Sequence, residues 1–208
     1  MMEIQTISAL NYKNTSICAT IYSSSDNQGT NSTTILYLHG GGLVFGQRDD
    51  LPKSYIEKFI KNNCVFISID YLLSPEVKLD EMLKVLKQSI SSISRQYQIS
   101  NNLFLMGRSA GAYLCYLLIR DGIKAKGFIS LYGYHQITLP EFTNPAPFYT
   151  RFPRVLPMNA QLLVKQYPLV KGPMQDRYPI YLSGRQFGTW INSLVPLRSC
   201  LVSLILTQ

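Results

Sequence analysis

The sequence predicts an α/β fold in which a mostly parallel sheet is flanked by helices. From residue 34 onward, short apolar runs typical of buried strands alternate with stretches of helical spacing. That order places parallel strands beneath covering helices. Of the 208 residues, 46% are hydrophobic and 15% are charged, which is enough apolar material for one sizeable core. We therefore expect residues 1–208 to form a single domain.

The predicted elements follow in order along the chain. Two strand-like stretches on either side of the turn-prone residues 11–14 predict an N-terminal hairpin. Short apolar runs predict parallel strands over residues 34–38, 64–69, 103–106 and 128–132. Helical spacing predicts helices over residues 51–62, 75–97 and 112–120. Eight prolines between residues 140 and 179 end the alternation, so only short helices are expected there, over about 160–167 and 180–194.

Charge and cysteine content exclude several function classes. Residues 108–208 hold eleven Lys and Arg against three acids, which accounts for the net charge of +8. Because these basic residues are scattered and no aromatic-basic motif accompanies them, we expect no nucleic-acid partner. The cysteines are far apart in the sequence, which argues against a zinc site, and we expect them to be reduced core residues: Cys18, Cys64, Cys115 and Cys200. No apolar stretch is long enough for a membrane span and no secretory leader is recognisable, so we expect a cytoplasmic protein.

A short motif predicts a nucleophile. Residues 107–111 read Gly-Arg-Ser-Ala-Gly, a G-x-S-x-G pattern between a predicted buried strand and a predicted apolar helix. This is the strand–turn–helix setting of a nucleophile elbow, in which a sharp turn exposes the serine hydroxyl. Ser109 would then lie at the carboxyl end of the sheet, where open parallel sheets bind ligands. The helix that follows would favour negative charge at its N-terminus.

A glycine triplet follows the first predicted parallel strand. Residues 39–42 read His-Gly-Gly-Gly, and without side chains the backbone N–H groups of these glycines can approach a substrate oxygen. Together with the amide after Ser109, they would form an oxyanion hole, in which one lost donor costs about 10²–10³ in rate. The alternative for the triplet alone is a flexible turn.

Taken in order, these motifs resemble the HGGG-type, hormone-sensitive-lipase-like esterase/lipase family of the α/β-hydrolase fold. The resemblance covers about residues 30–135 and rests on four segments: residues 39–42; Gly46 with residues 48–50; Asp70 and Tyr71 with residues 74–76; and residues 107–111. One departure is Leu72, where the family usually has an arginine.

The resemblance implies a function and a set of site residues. Ser109 would be the nucleophile, and the amides of Gly41, Gly42 and Ala110 would form the oxyanion hole. The substrate would be a small-molecule ester, with neither a metal nor an organic cofactor. His39 would brace the glycine loop rather than act in catalysis.

The general base of a serine hydrolase is not evident. Serine needs a neighbouring imidazole to take its proton, and in this fold the order is Ser, then Asp or Glu, then His. The only histidines are His39, before the serine, and His135, directly after a predicted strand; the only acids beyond residue 135 are Glu141 and Asp176. Three explanations remain open. Residues 197–208 replace family-like sequence after a truncation or frameshift, His135 substitutes as the base, or the chain is a non-catalytic ligand-binding or scaffolding relative.

Two further expectations concern the C-terminal half. Residues 136–190 occupy the place where the family commonly inserts a cap; the alternative is a poorly ordered remnant. As a cap, the segment would select small uncharged esters with an apolar pocket formed by Phe142, Phe148, Tyr149, Phe152 and Tyr167. Truncation would expose a sheet edge and favour self-association, unless residues 201–206 pair with that edge as a strand.

Overall fold

Six strands form one mixed sheet with helices on both faces. The computed structural model describes residues 1–25, 32–97, 99 and 102–195. The strands are β1 Met2–Tyr12, β2 Thr15–Ser24, β3 Thr33–Leu38, β4 Cys64–Ile69, β5 Leu103–Arg108 and β6 Gly127–Leu131. The helices are α1 Lys53–Lys61, α2 Leu79–Tyr97, α3 Ala110–Arg120, α4 Pro140–Thr143, α5 Pro157–Gln161, α6 Met174–Gln186 and α7 Trp190–Leu194, with a 3₁₀ turn at Tyr149–Arg151. The predicted fold class is confirmed.

Strand order explains why the candidate segments meet. The order across the sheet is β1-β2-β4-β3-β5-β6. β3 pairs in parallel with both β4 and β5, and β5 with β6, whereas the β1–β2 hairpin joins β4 in antiparallel fashion. The register sets Leu38 opposite Gly107. The loop after β3 and the turn after β5 therefore emerge side by side at one edge.

Alternation along the strands divides the core between the two faces. On one face, Ile35 and Tyr37 of β3 pack with Ile56 and Ile60 of α1. On the other, Leu36 and Leu38 join the larger cluster that α2 and α3 cover. Because both faces are buried, these strands read as continuous apolar runs in the sequence.

Three helix predictions differ from the structure. α2 begins at Leu79 rather than residue 75, and Asp80 and Glu81 in its first turn complement the helix dipole. The helix expected over residues 160–167 is wrong, because α5 ends at Gln161 and starts at Pro157, a residue suited to the first helical position. The stretch expected over 180–194 is two helices, and α6 already begins at Met174 and continues through Pro179.

Several expectations concern edges, thiols and membranes. Within the described ranges, β6 pairs on one side only, with β5, so self-association through this edge stays a prediction. Cys18, Cys64 and Cys115 are free thiols, and only Cys115 is buried. Cys200 and the run at 201–206 lie outside the described residues. Across the part of the chain with assigned structure, no helix is both long and apolar enough to cross a bilayer.

Candidate active site

Ser109 occupies a strained turn between β5 and α3. Its backbone has φ 52° and ψ −116°, a conformation that non-glycine residues rarely adopt and that costs about 1–3 kcal/mol. The Ser109 N–H donates to the Leu131 carbonyl oxygen of β6 at 2.9 Å, which holds the turn. A Cβ on Gly107 would overlap the Ala112 backbone, and one on Gly111 would overlap the Leu38 carbonyl. Both flanking glycines are therefore required for helix and strand to approach this closely.

His39 and Tyr71 fix the start of the glycine loop. The fully buried His39 ring lies 2.6 Å from the Gly40 carbonyl oxygen through Nδ1, and Tyr71 stacks on it at 4.2 Å. The Tyr71 hydroxyl donates to the His39 carbonyl oxygen at 3.0 Å. Burial lowers the pKa of His39 to about 4, so the ring is neutral near pH 7 and Nδ1–H is the donor to Gly40. His39 thus braces the loop.

The peptide planes of the loop orient its free N–H groups. A trans peptide directs its C=O and N–H in opposite directions. The Gly40 carbonyl accepts from His39 and the Gly41 carbonyl accepts from the N–H groups of Val44 and Phe45 at 3.0 Å, so the N–H groups of Gly41 and Gly42 point away from those partners. Over the described residues, no acceptor is bonded to the backbone N–H of Gly41, Gly42 or Ala110. These are the three amides expected to form an oxyanion hole.

Contacts at Gly40 bring the loop against the elbow. A Cβ built on Gly40 would lie 3.5 Å from the Ser109 Cβ and 3.1 Å from the Arg108 carbonyl oxygen. The Asp50 carboxylate links β3 to the elbow, because it pairs with the Arg108 guanidinium and accepts a hydrogen bond from the Tyr37 hydroxyl at 2.7 Å. Burial raises the pKa of Asp50. The structure therefore places Ser109 directly beside the glycine loop.

Helices α6 and α7 contact the glycine loop and the residues that follow it. Trp190 donates from Nε1 to the Gly42 carbonyl oxygen at 3.0 Å, and the Tyr181 ring lies where a Gly42 Cβ would project. Arg177 bonds the Val44 carbonyl oxygen at 2.6 Å and forms a buried ion pair with Glu76 at 2.7 Å. Sequence reasoning missed these residues; the only pointer was that Trp190 is the single tryptophan.

The candidates for a base or acid that follow Ser109 in the chain are His135, Glu141 and Asp176. His135 is exposed and contacts the Tyr116 ring at 6.2 Å. Tyr116 lies seven residues after Ser109, about 10 Å along the axis of α3. Glu141 and Asp176 are also exposed. Among the described residues, no hydrogen bond joins His39 or His135 to the Ser109 hydroxyl.

Other residues of interest divide between the site and the surface. Phe142 and Tyr149 are half-buried and pack around Arg185, whereas Phe148, Phe152 and Tyr167 are exposed. Leu72, where an arginine was expected, is fully buried. Asp70 pairs instead with Arg48 at 2.7 Å, so its charge is still compensated.

Comparison with known proteins gives a consistent picture. A family profile described as alpha/beta hydrolase fold matches residues 35–154. A Staphylococcus aureus protein of unknown function is 31% identical, with a TM-score of 0.79, covering 91% of this chain and 68% of that one. An Enterococcus faecalis alpha/beta hydrolase superfamily protein, 24% identical, has a TM-score of 0.75 over 97% of this chain and 72% of its own. A bacterial heroin esterase is 15% identical, with a TM-score of 0.57, covering 89% of this chain and 55% of that one. The similarity to the Enterococcus faecalis protein and to the heroin esterase shows a shared fold.

Curated relatives align with a shorter part of the chain. Kynurenine formamidases of Danio rerio and Salmo salar are each 27% identical over 85 residues. That segment is 41% of this chain and 29% of each relative, so less than a third of those proteins is matched.

Proposed function

Because the chain belongs to the alpha/beta hydrolase fold family, we infer that its site is built for carboxylic ester hydrolysis, with Ser109 as the nucleophile. The observation that carries the proposal is the strained Ser109 backbone beside a glycine loop with unpaired N–H groups. Such a turn is retained only where the surrounding structure stabilises it, as a nucleophile elbow requires.

Each group has a role in the proposed reaction. The Ser109 oxygen attacks the ester carbonyl carbon and its proton leaves, while the carbonyl oxygen becomes an oxyanion. The N–H groups of Gly41, Gly42 and Ala110 stabilise that oxyanion, helped by the N-terminus of α3. Collapse of the intermediate expels the alcohol, which takes up a proton, and leaves an acyl-enzyme. Water then hydrolyses the acyl-enzyme to the carboxylic acid and restores the serine.

In the described part of the chain neither histidine is hydrogen-bonded to Ser109, and this limits the expected rate. A positioned general base contributes about 10²–10⁴ in rate, and without it the Ser109 proton passes to water. We expect hydrolysis well below that of a complete triad. The positions of His39 and His135 favour a second candidate, a non-catalytic relative that keeps the pocket for ligand binding.

We also propose that residues 136–190 act as a cap within a single domain. Supporting contacts are the Trp190–Gly42 hydrogen bond and the buried Arg177–Glu76 pair, which join the segment to the loop after β3 and to the turn before α2. These contacts do not favour the alternative of a poorly ordered remnant.

Hydrolysis of p-nitrophenyl butyrate by the purified protein tests the proposal. Wild type should exceed Ser109→Ala, and Ser130→Ala on neighbouring β6 should match wild type. An organophosphonate probe followed by intact mass should add one adduct, lost only in Ser109→Ala. An N-formyl anilide belongs in the same series, because the matched curated relatives are named formamidases. Equal rates and no adduct would reject the hydrolase and leave the ligand-binding alternative.

A further inference from the structure

Arg185 of α6 is a buried cation that pairs with no carboxylate of the described residues. Its side chain is 7% exposed. One terminal nitrogen donates to the Tyr181 hydroxyl at 2.8 Å and the other to the Glu141 backbone carbonyl at 2.8 Å. In the described ranges no acidic side chain pairs with Arg185, and its Nε has no hydrogen-bond partner. Burying an unpaired charge costs several kcal/mol, so this arrangement calls for an explanation.

Aromatic rings surround the guanidinium on several sides. Its central carbon lies 4.8–5.8 Å from four ring centroids, those of Tyr149, Phe142, Tyr181 and Trp190. Cation–π attraction at desolvated sites is worth about 2 kcal/mol. Ring faces accept an N–H more weakly than an anion would, and they supply no negative charge to balance the guanidinium.

A second buried donor lies in the same cluster. The Tyr134 hydroxyl has no hydrogen-bond partner among the residues with assigned positions. The Tyr134 ring packs at 4.8 Å against Phe142 and at 5.9 Å against Trp190, two of the rings around Arg185. Burial raises the pKa of Tyr134 well above its ordinary value, so the phenol keeps its proton and can donate. Two unpaired donors therefore share one aromatic cluster.

The cluster borders the candidate active site. Tyr134 follows Gly133, where a Cβ would lie 3.3 Å from the Ser109 carbonyl oxygen. Tyr181, which Arg185 bonds, packs against Gly42. A group held by Arg185 and Tyr134 would thus lie beside the elbow and the glycine loop.

We propose that Arg185 and Tyr134 form a carboxylate-binding subsite, and that the ligand of this site is a small ester or product bearing a carboxylate. A carboxylate offers two oxygens to two donors, supplies the missing negative charge, and brings an apolar body to the aromatic walls. Entry requires Phe142 and Tyr149, the half-buried outer rings, to move aside. The ester part rests on the proposed function; the carboxylate part does not. The proposal replaces the expectation of uncharged substrates.

Trp190 provides the readout. It is the only tryptophan and lies beside both donors, so its fluorescence should change when the subsite fills. Titration with butyrate should give a saturable change, and neutral butyramide should bind about tenfold to a hundredfold more weakly. Arg185→Met should weaken butyrate binding by a similar factor. Arg154→Met is the matched control, because Arg154 also lies over an aromatic ring, Phe187, but is exposed.

A second variant guards against misfolding. If circular dichroism shows that Arg185→Met is unfolded, Tyr134→Phe retains the ring and should weaken butyrate binding about fivefold. Equal binding of butyrate and butyramide, or unchanged binding in the folded variants, would overturn the subsite. Tighter binding of inorganic phosphate than of butyrate would overturn the carboxylate assignment. The butyrate titration uses no ester, so it tests the subsite separately from hydrolysis. If butyrate binds but p-nitrophenyl butyrate is not hydrolysed, only the proposed function is rejected.

Discussion

Trp190 donates its indole N–H to the Gly42 carbonyl oxygen at 3.0 Å, although 148 residues separate them in the chain. The bond fixes the peptide plane that follows Gly42, whereas His39 and Tyr71 hold the start of the loop. The glycine loop is therefore held at both of its ends.

Replacing Trp190 with phenylalanine should weaken this support. The aromatic bulk remains, but the Gly42 carbonyl loses its donor, so the free energy of unfolding should fall by about 1–3 kcal/mol. Urea denaturation followed by circular dichroism measures the change. Labelling of Ser109 by the organophosphonate should slow in the same variant. An unchanged labelling rate would mean that the hydrogen bond does not position the loop.

Gly42→Ala should be more damaging than an alanine at another left-handed glycine. Gly42 has φ 60°, and an added Cβ would overlap the Tyr181 ring. We expect a loss of about 2–5 kcal/mol from backbone strain and overpacking together. The matched control is Gly122→Ala, where φ is 94° and nothing lies within 4 Å of the new Cβ. There only strain of about 1–2 kcal/mol remains. Equal losses in thermal unfolding would contradict the overlap.

Glu76→Gln should leave the Arg177 charge buried without a counter-charge. The Arg177 side chain is 4% exposed and the Glu76 side chain is 2% exposed. Breaking such a pair from one side costs about 3–5 kcal/mol, measurable by chemical denaturation. Glu81→Gln breaks the exposed Lys84 pair and removes a charge from the first turn of α2, and together these should cost no more than about 1 kcal/mol. A loss below 1 kcal/mol in Glu76→Gln would show that the buried pair does not anchor α6.

His39 should make stability depend on pH. Its pKa is lowered to about 4 from an ordinary value of 6.5, so the unfolded chain binds the proton more readily than the folded one. The stabilisation is complete above pH 6.5 and is lost as the pH falls towards 4, by up to roughly 3 kcal/mol. Burial raises the pKa of Asp50 and Asp70, which acts in the opposite sense near the acid end.

Comparison with His39→Asn isolates this dependence. The Asn amide nitrogen can replace Nδ1 as the donor to Gly40 but does not titrate. Urea denaturation between pH 4.5 and 7.5 should therefore give a shallower pH slope in the variant. Parallel slopes would assign the pH dependence to other groups.

The strands of the central sheet were predictable because the apolar pattern that identifies each strand lies within the strand itself. Residues 34–38 and 64–69 match β3 and β4 to within one residue, since strands buried on both faces are apolar throughout. The turn at Ser109 was predictable for a similar reason, because its glycines flank it directly. The bracing role of His39, suggested by resemblance, agrees with its buried contacts.

Residues beyond 135 were harder to interpret because their structure depends on distant partners. Arg177 pairs with Glu76, which lies 101 residues earlier in the chain. Helix α6 continues through Pro179, although proline normally ends a helix. Arg185 gave no signal at all, since its aromatic neighbours come from α4, the 3₁₀ turn, α6 and α7. No sequence periodicity records such a cluster.

The same long-range contacts make the glycine loop depend on two helices that are distant in the sequence. The sheet is held by its own ladders, whereas the outer side of the glycine loop depends on α6 and α7 through Arg177 and Trp190. A sub-global opening that released only these helices would free the loop while leaving the sheet folded. On warming, the site geometry would then be lost before the global melting transition, and slow amide exchange would persist in β3 and β5 after it had vanished from α6.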